Sequence, residues 1–141
     1  MTDWDPAVFT KALIADLREH GGQVSSGPMA GGRLLILTTT GPKTGKARVA
    51  VVKYTRDGDT YVVAGSQSGA PTDPFWSKNV ATNPLVKVEA DGETVDARAT
   101  VAHGADRDRL WGRHVAAHPE DAEYPEKSGR VIPMVRFTRI R

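Results

Sequence analysis

Between residues 33 and 66 the sequence passes through three apolar, β-branched stretches separated only by turn-forming residues. The stretches are RLLILTTT (33–40), RVAVVKYTR (48–56) and TYVVAGS (60–66), joined by GPKTGKA and by DGD. Runs of this kind form strands, and connections this short favour antiparallel neighbours over crossovers. Three more strands follow the same logic. LVKVEA opens after Pro84, Asp91-Gly92 turns the chain, and ETVDARATVAH (93–103) returns. In that return run Val95, Ala97, Ala99 and Val101 fall on one face, with Asp96, Arg98 and Thr100 on the other. VIPMVRFTRIR closes the chain as the sixth strand.

Helices fit around these strands. Asp5 and Pro6 make a cap and a first helical position. Phe9, Ala12, Leu13 and Leu17 then recur at helical spacing until Gly21 and Gly22 end the segment. PFWSKNVAT (74–82) reads as a short helix capped by Asp73, with Pro74 first. DRDRLWGRHVAAH (106–118) reads as another, with Leu110, Trp111 and Val115 on its buried stripe. The polar, glycine-rich QVSSGPMAGG (23–32) is long for a connector in a compact domain, which points to a lid-like binding loop. The expected fold is α+β and mainly β: six antiparallel strands closing into a small barrel, with an N-terminal helix and two inserted helices.

Bulk properties narrow the function. A chain of 141 residues makes one domain, 1–141, with a core that needs no metal or disulfide support. Nineteen Lys and Arg against 17 Asp and Glu leave a charge of only +2, which argues against a nucleic-acid partner, as do the few aromatics on the strands. There are no cysteines, so thiolate catalysis and Cys-based metal sites are excluded. MTDWDPAVF lacks a secretory pattern and no apolar run has membrane-spanning length, so a cytoplasmic location without an integral membrane segment is expected.

The stretch TTTGPKTGKARVAVVKY (38–54) carries the densest chemistry. A P-loop needs four residues between its glycines, Ser or Thr after the Lys, and a following helix. Here three residues separate Gly41 from Gly45, Ala47 follows Lys46, and a strand comes next, so Walker-type hydrolysis is not expected. Lys43, Lys46 and Arg48 on a glycine-bearing turn instead suit an anion held by cations and backbone N–H groups. A long polyanionic cofactor tail fits better than a buried triphosphate. His114 and His118 have the spacing of two metal ligands, but no Glu follows His114 and no third ligand is evident. No metal is expected.

LLILTTTGPKTGKARV, VVAGSQSGAPTDPFWSKNVATNPLVKVE and AHPEDAEYPEKSGRVIPMV together resemble the deazaflavin-dependent nitroreductase family of actinobacteria, whose members use coenzyme F420. The resemblance runs from about Gly21 to Val135 and implies a split β-barrel of flavin-mononucleotide-binding type. It implies that Pro42, Lys43, Thr44 and Arg48 hold the cofactor's phosphate and oligoglutamate tail, and that Val49, Ala50, Val51, Val52 and Lys53 run along it. The family usually has proline where this chain has Val51. Ala64, Gly65, Ser66 and Gln67 match the segment that meets the deazaflavin ring, with Gly65 allowing close backbone approach and Ser66 donating a hydrogen bond. Gln67 stands where related sequences often carry Lys. Phe75, Trp76, Ser77, Lys78 and Asn79 match the adjoining helix, Trp76 walling the pocket and Asn79 bonding a polar edge. His118, Asp121 and Tyr124 match the substrate side, where several relatives display more tyrosines. Tyr124 would orient the acceptor's oxygen and supply a proton.

The implied activity is hydride transfer from reduced coenzyme F420 to a quinone, a conjugated enone or lactone, or a nitroaromatic. Alternatives are the same barrel using flavin mononucleotide, or a non-catalytic carrier of a deazaflavin, haem or lipid. The implied partners are a small-molecule acceptor and at most a second copy of the chain, with loose membrane association compatible with a quinone acceptor.

Overall fold

The structure is a computed structural model that describes residues 6–27, 30–41, 45–65 and 75–140. The elements in order are α1 (Pro6–Glu19), β1 (Leu35–Thr40), β2 (Ala47–Val52), β3 (Thr55–Asp57) and β4 (Thr60–Ala64). There follow α2 (Phe75–Thr82), β5 (Leu85–Ala90), β6 (Glu93–Val101), α3 (Gly104–Ala117), a 3-10 turn (Pro119–Asp121), α4 (Tyr124–Ser128) and β7 (Met134–Arg139). Helix α1 opens at Pro6 as expected, while the caps assigned to Asp5 and Asp73 lie outside the described residues.

All seven strands join one antiparallel sheet in the order β2-β1-β5-β6-β7-β4-β3, curled into a half-barrel. Among the described residues the expected six strands are therefore corrected to seven. The run 48–56 breaks at Lys53 and Tyr54 because its two halves serve opposite edges of the sheet. Curling lets one chain segment leave the β2 edge and enter the β3 edge within two residues. The helix count is also higher than expected: α4 adds a fourth, with Pro125 in its first turn and Gly129 ending it at φ 69°.

Strand alternation sorts the side chains into one interior core and two outer clusters. Leu35, Leu37, Tyr61, Val63, Val86, Val88, Ala97, Val135 and Phe137 face the interior, and α2 closes it with Trp76 and Val80. Outside, α1 covers Ile36 and Val51 with Leu17, while α3 covers Val62, Ala64 and Met134 with Leu110. The 23–32 loop is anchored at its described end. Val24 is buried in the α1 cluster, and Ser25 bonds the Asp16 carboxylate through its N–H (2.9 Å) and its hydroxyl.

Two charged hubs tie the sheet edges down. Asp91, in the left-handed region at φ 53°, takes the Tyr54 hydroxyl and Arg56 Nη1 (3.2 Å), with Arg33 Nη1 at 3.5 Å. Asp57 on β3 takes Arg109 from α3 (2.9 Å) and Arg136 from β7 (2.8 Å), and both arginines also hold Asp106.

Candidate active site

The β1–β2 hairpin places the anion-binding residues. Gly41 N–H donates to Lys46 O at 2.8 Å, and Gly45, at φ 68°, donates to Gly41 O at 3.0 Å. Pro42, Lys43 and Thr44 lie outside the described residues. Arg48 pairs directly opposite Thr39, so both side chains share the face of the sheet that α2 covers. Thr39 is buried and its hydroxyl accepts a bond from Asn79 Nδ2 at 3.0 Å, so the Asn79 amide braces α2 against β1. The Arg48 side chain is exposed and makes no hydrogen bond or ion pair with another described residue. Its guanidinium is thus available to an anion, and these residues fit a phosphorylated, polycarboxylate tail.

Alternation divides the rest of β2. Ala50 and Val52 pack toward the interior beside Leu35 and Leu37. Val51 points the other way, into the cluster beneath α1, and Val49 is exposed on that same outer face. A ligand lying along one face of β2 meets Arg48, Ala50 and Val52, and the side chains of Val49 and Val51 are excluded from that contact. At 2% exposure Trp76 packs into the interior core against Phe137, ring centroids 6.2 Å apart. Its large apolar surface is what the half-barrel needs to close. Phe75, Ser77 and Lys78 share α2 with it, Ser77 half-buried and Lys78 exposed.

At the end of β4, Ser66 and Gln67 lie outside the described residues. Gly65 is packed against the chain itself: its N–H donates to Pro133 O at 2.8 Å and its carbonyl accepts from Arg130 Nη1 at 3.0 Å. A Cβ there would sit 2.8 Å from Pro133 Cγ, so the packing of Pro133 against this position requires glycine. Ala64, beside it, belongs to the buried cluster against which Tyr124 packs.

The remaining residues converge on one network. Asp121 is 1% exposed, and its two oxygens accept from Lys53 Nζ and His114 Nε2, each at 2.8 Å. Lys53 also reaches Glu120 Oε1 at 3.1 Å. His114, equally buried, stacks on Trp111 (5.6 Å, 18°) and lies 4.9 Å from the His118 ring. His118 Nε2 donates to Tyr54 O at 3.2 Å. Because Nε2–H donates to Asp121, Nδ1 of a neutral His114 is a bare acceptor, buried with no partner among the described residues. Burial holds the His114 pKa below its ordinary value, against the pull of Asp121. For Asp121 burial acts upward, but the bonds from Lys53 and His114 outweigh it and hold the carboxyl below its usual range.

Thus Lys53, assigned by resemblance to the cofactor, is joined to the segment assigned to the substrate, Asp121 included. His114 was read only as half of an implausible metal pair. Its position four residues after Leu110, on the buried stripe of α3, was the signal that it points inward. An open cleft of about 700 Å³ adjoins the network, lined by His118, Tyr54, Arg56, Arg33, Arg113 and Asp91 among others. Nothing in the sequence marked that cleft, because its walls come from four distant segments.

The F420H(2)-dependent quinone reductase family model matches residues 11–138. The F420H(2)-dependent quinone reductase Rv1261c of Mycobacterium tuberculosis is 34% identical over 111 residues, covering 74% of this chain and 72% of the relative. Among solved structures, an F420-H2 dependent reductase (FDR-A) superposes with a TM-score of 0.69 at 33% identity, over 74% of this chain and 92% of its own. A chain solved as a domain-swapped dimer gives a TM-score of 0.72 at 28% identity, over 94% of this chain and 99% of that one.

Proposed function

Because the chain belongs to the F420H(2)-dependent quinone reductase family, we propose that it reduces a quinone or a related conjugated carbonyl compound at the expense of reduced coenzyme F420. Conjugated enones, lactones and nitroaromatics are further acceptors of the same electronic kind. The bound cofactor supplies hydride chemistry, while the protein supplies binding, orientation and a dry pocket. The acceptor gains one hydride and one proton, and the cofactor leaves oxidised.

The observation that carries this reading is Arg48: a guanidinium without a described partner, on the inner face of an edge strand, just beyond a glycine turn. A guanidinium with no competing carboxylate is free to fork onto phosphate or carboxylate oxygens. Ala50 and Val52 continue that face toward the network at Lys53. Tyr124, packed against the cluster that contains Ala64, orients the acceptor's oxygen and passes it a proton. On this reading residues 1–141 make one split-barrel domain of flavin-mononucleotide-binding type, and the 23–32 loop closes over one side of it.

Calorimetry with oxidised coenzyme F420, and separately with flavin mononucleotide, tests the cofactor assignment. Binding of the former alone supports it, and binding of the latter alone overturns it. Tyr124→Phe should lower kcat for quinone reduction roughly a hundredfold or more, the usual scale for losing a proton donor, while cofactor affinity stays unchanged. The opposite split would remove Tyr124 from the acceptor side.

A further inference from the structure

We propose that Lys53 is the hydrogen-bond donor for the acceptor's carbonyl oxygen, positioned by Asp121 and His114, and that the Asp121 and Glu120 carboxylates make the site select neutral over anionic acceptors. This inference rests on the hydride-transfer reading above. It begins from two cations of one strand region with opposite surroundings. Arg48 stands without a described partner, whereas Lys53, five residues on, is already bonded to two carboxylates. Lys53 lies just past the end of β2, so the two cations bracket that strand, one at each end.

Charge counting decides which ligand Lys53 suits. Lys53 contributes one positive charge, Asp121 and Glu120 one negative charge each, and neutral His114 none, so the cluster is net negative by one. His118, whose Nδ1 is 3.8 Å from Glu120 Oε1, offsets this only when protonated. An anionic group placed at the ammonium itself would meet these two carboxylates, whereas Arg33, Arg56 and Arg113 lie with Asp91 along the adjoining cleft. A neutral carbonyl oxygen needs only a directed N–H, and the ammonium has a third one beyond the two bonds to carboxylates. The Lys53 side chain is 36% exposed, so a ligand can reach it. Burial alone would lower the Lys53 pKa, but the bonds to Asp121 and Glu120 outweigh it, so the group stays an ammonium and donates without losing its proton.

The buried pair behind Lys53 has no comparable structural use. Replacing a buried polar pair by apolar groups is often neutral or stabilising, and this one leaves His114 Nδ1 unsatisfied. What the pair does achieve is geometric. Asp121 spends one oxygen on His114 and turns the other to Lys53, which fixes the ammonium at the end of β2. His114 and Asp121 are positioning residues, and Lys53 is the one that meets the acceptor.

The test compares 1,4-naphthoquinone with its 2-sulfonate, using the ratio of their kcat/KM values so that intrinsic reactivity cancels between variants. Glu120→Gln should shift that ratio toward the sulfonate by roughly fivefold or more, the effect of one nearby charge in a partly solvated site. Lys53→Met should raise KM for the neutral quinone and leave the Kd for coenzyme F420 unchanged. His114→Gln, whose amide still donates to Asp121, should stay near wild type where His114→Leu behaves like Lys53→Met. Independently of turnover, the Lys53 Cε resonance should move on adding 1-tetralone, a redox-inert neutral ketone, and should not move with its carboxylate, in the protein alone or saturated with oxidised coenzyme F420. If neither quinone oxidises the reduced cofactor, the reductase reading fails, and the tetralone titration still decides the role of Lys53. An unchanged ratio in Glu120→Gln together with a static Lys53 resonance would overturn the inference.

Discussion

At the residue scale the division of labour is between Arg48 and His114. Arg48→Ala removes a cation that supports nothing else among the described residues. Its effect should therefore fall on ligand affinity alone. The Kd for coenzyme F420 should rise about tenfold or more, as expected for losing charge-assisted hydrogen bonds, with the melting temperature unchanged. His114 governs stability against pH. Its folded pKa lies below 6.5 because it is buried, so between those two values the unfolded chain binds more protons. Stability is then full above the ordinary histidine range and is lost as pH falls through it toward the depressed folded value. Urea unfolding at pH 7.5 and 5.5 should show this loss, and His114→Gln should shrink it. A wild-type midpoint that is the same at both pH values would contradict a buried neutral imidazole. The Asp106 carboxyl, held down at about 2 by Arg136 and then Arg109, titrates far below this window and does not interfere.

At the element scale, the connections matter as much as the elements. Helix α1 ends at paired glycines, and Gly22, at φ 90°, donates to Leu17 O at 2.7 Å. It also lies against the β5–β6 turn, where a Cβ would come within 2.9 Å of the Asp91 backbone nitrogen. Gly22→Ala combines a disfavoured φ with a backbone clash, and should cost about 1–3 kcal/mol. The loss should appear in chemical denaturation, whereas Gly21→Ala, with open space around its Cβ position, should cost less. The helix boundaries near α3 show how far local pattern reaches. Leu110 was correctly placed on the buried stripe, yet the stripe continues to His114 while Trp111 and Val115 remain partly exposed. The helical pattern did not mark His114 as buried, because its partner Asp121 lies beyond the helix end.

At the scale of the whole molecule, a half-barrel is held shut by a plug and by its edges. Trp76 and Val80 from α2 complete the interior core, so Trp76→Ala should cost about 3–5 kcal/mol and show as a lower denaturation midpoint at every pH. If Trp76 instead walled an open pocket, the main loss would be in ligand binding and stability would change little. The β3 edge is pinned by Arg109 and Arg136 on Asp57, whose carboxyl is held well below its usual range by Arg109 first and Arg136 second. These contacts tie α3, β3 and β7 together.

The amino-acid sequence by itself determined where the strands and the three longer helices lie. Period-two and helical apolar spacing, Pro at a helix start and Gly at turns are local properties, and β5 and β6 match their expected runs. It also marked Arg48 and Tyr124 as chemistry-bearing residues through the motifs around them. Tertiary structure alone decided that the run 48–56 would be divided between two sheet edges. It also decided that Gly65 answers to Pro133, that Trp76 turns inward, and that Lys53 belongs with Asp121 and His114. The physical reason is sequence separation. Lys53 and Asp121 are 68 residues apart, and no local spacing rule can report a hydrogen bond that exists only after the sheet has curled.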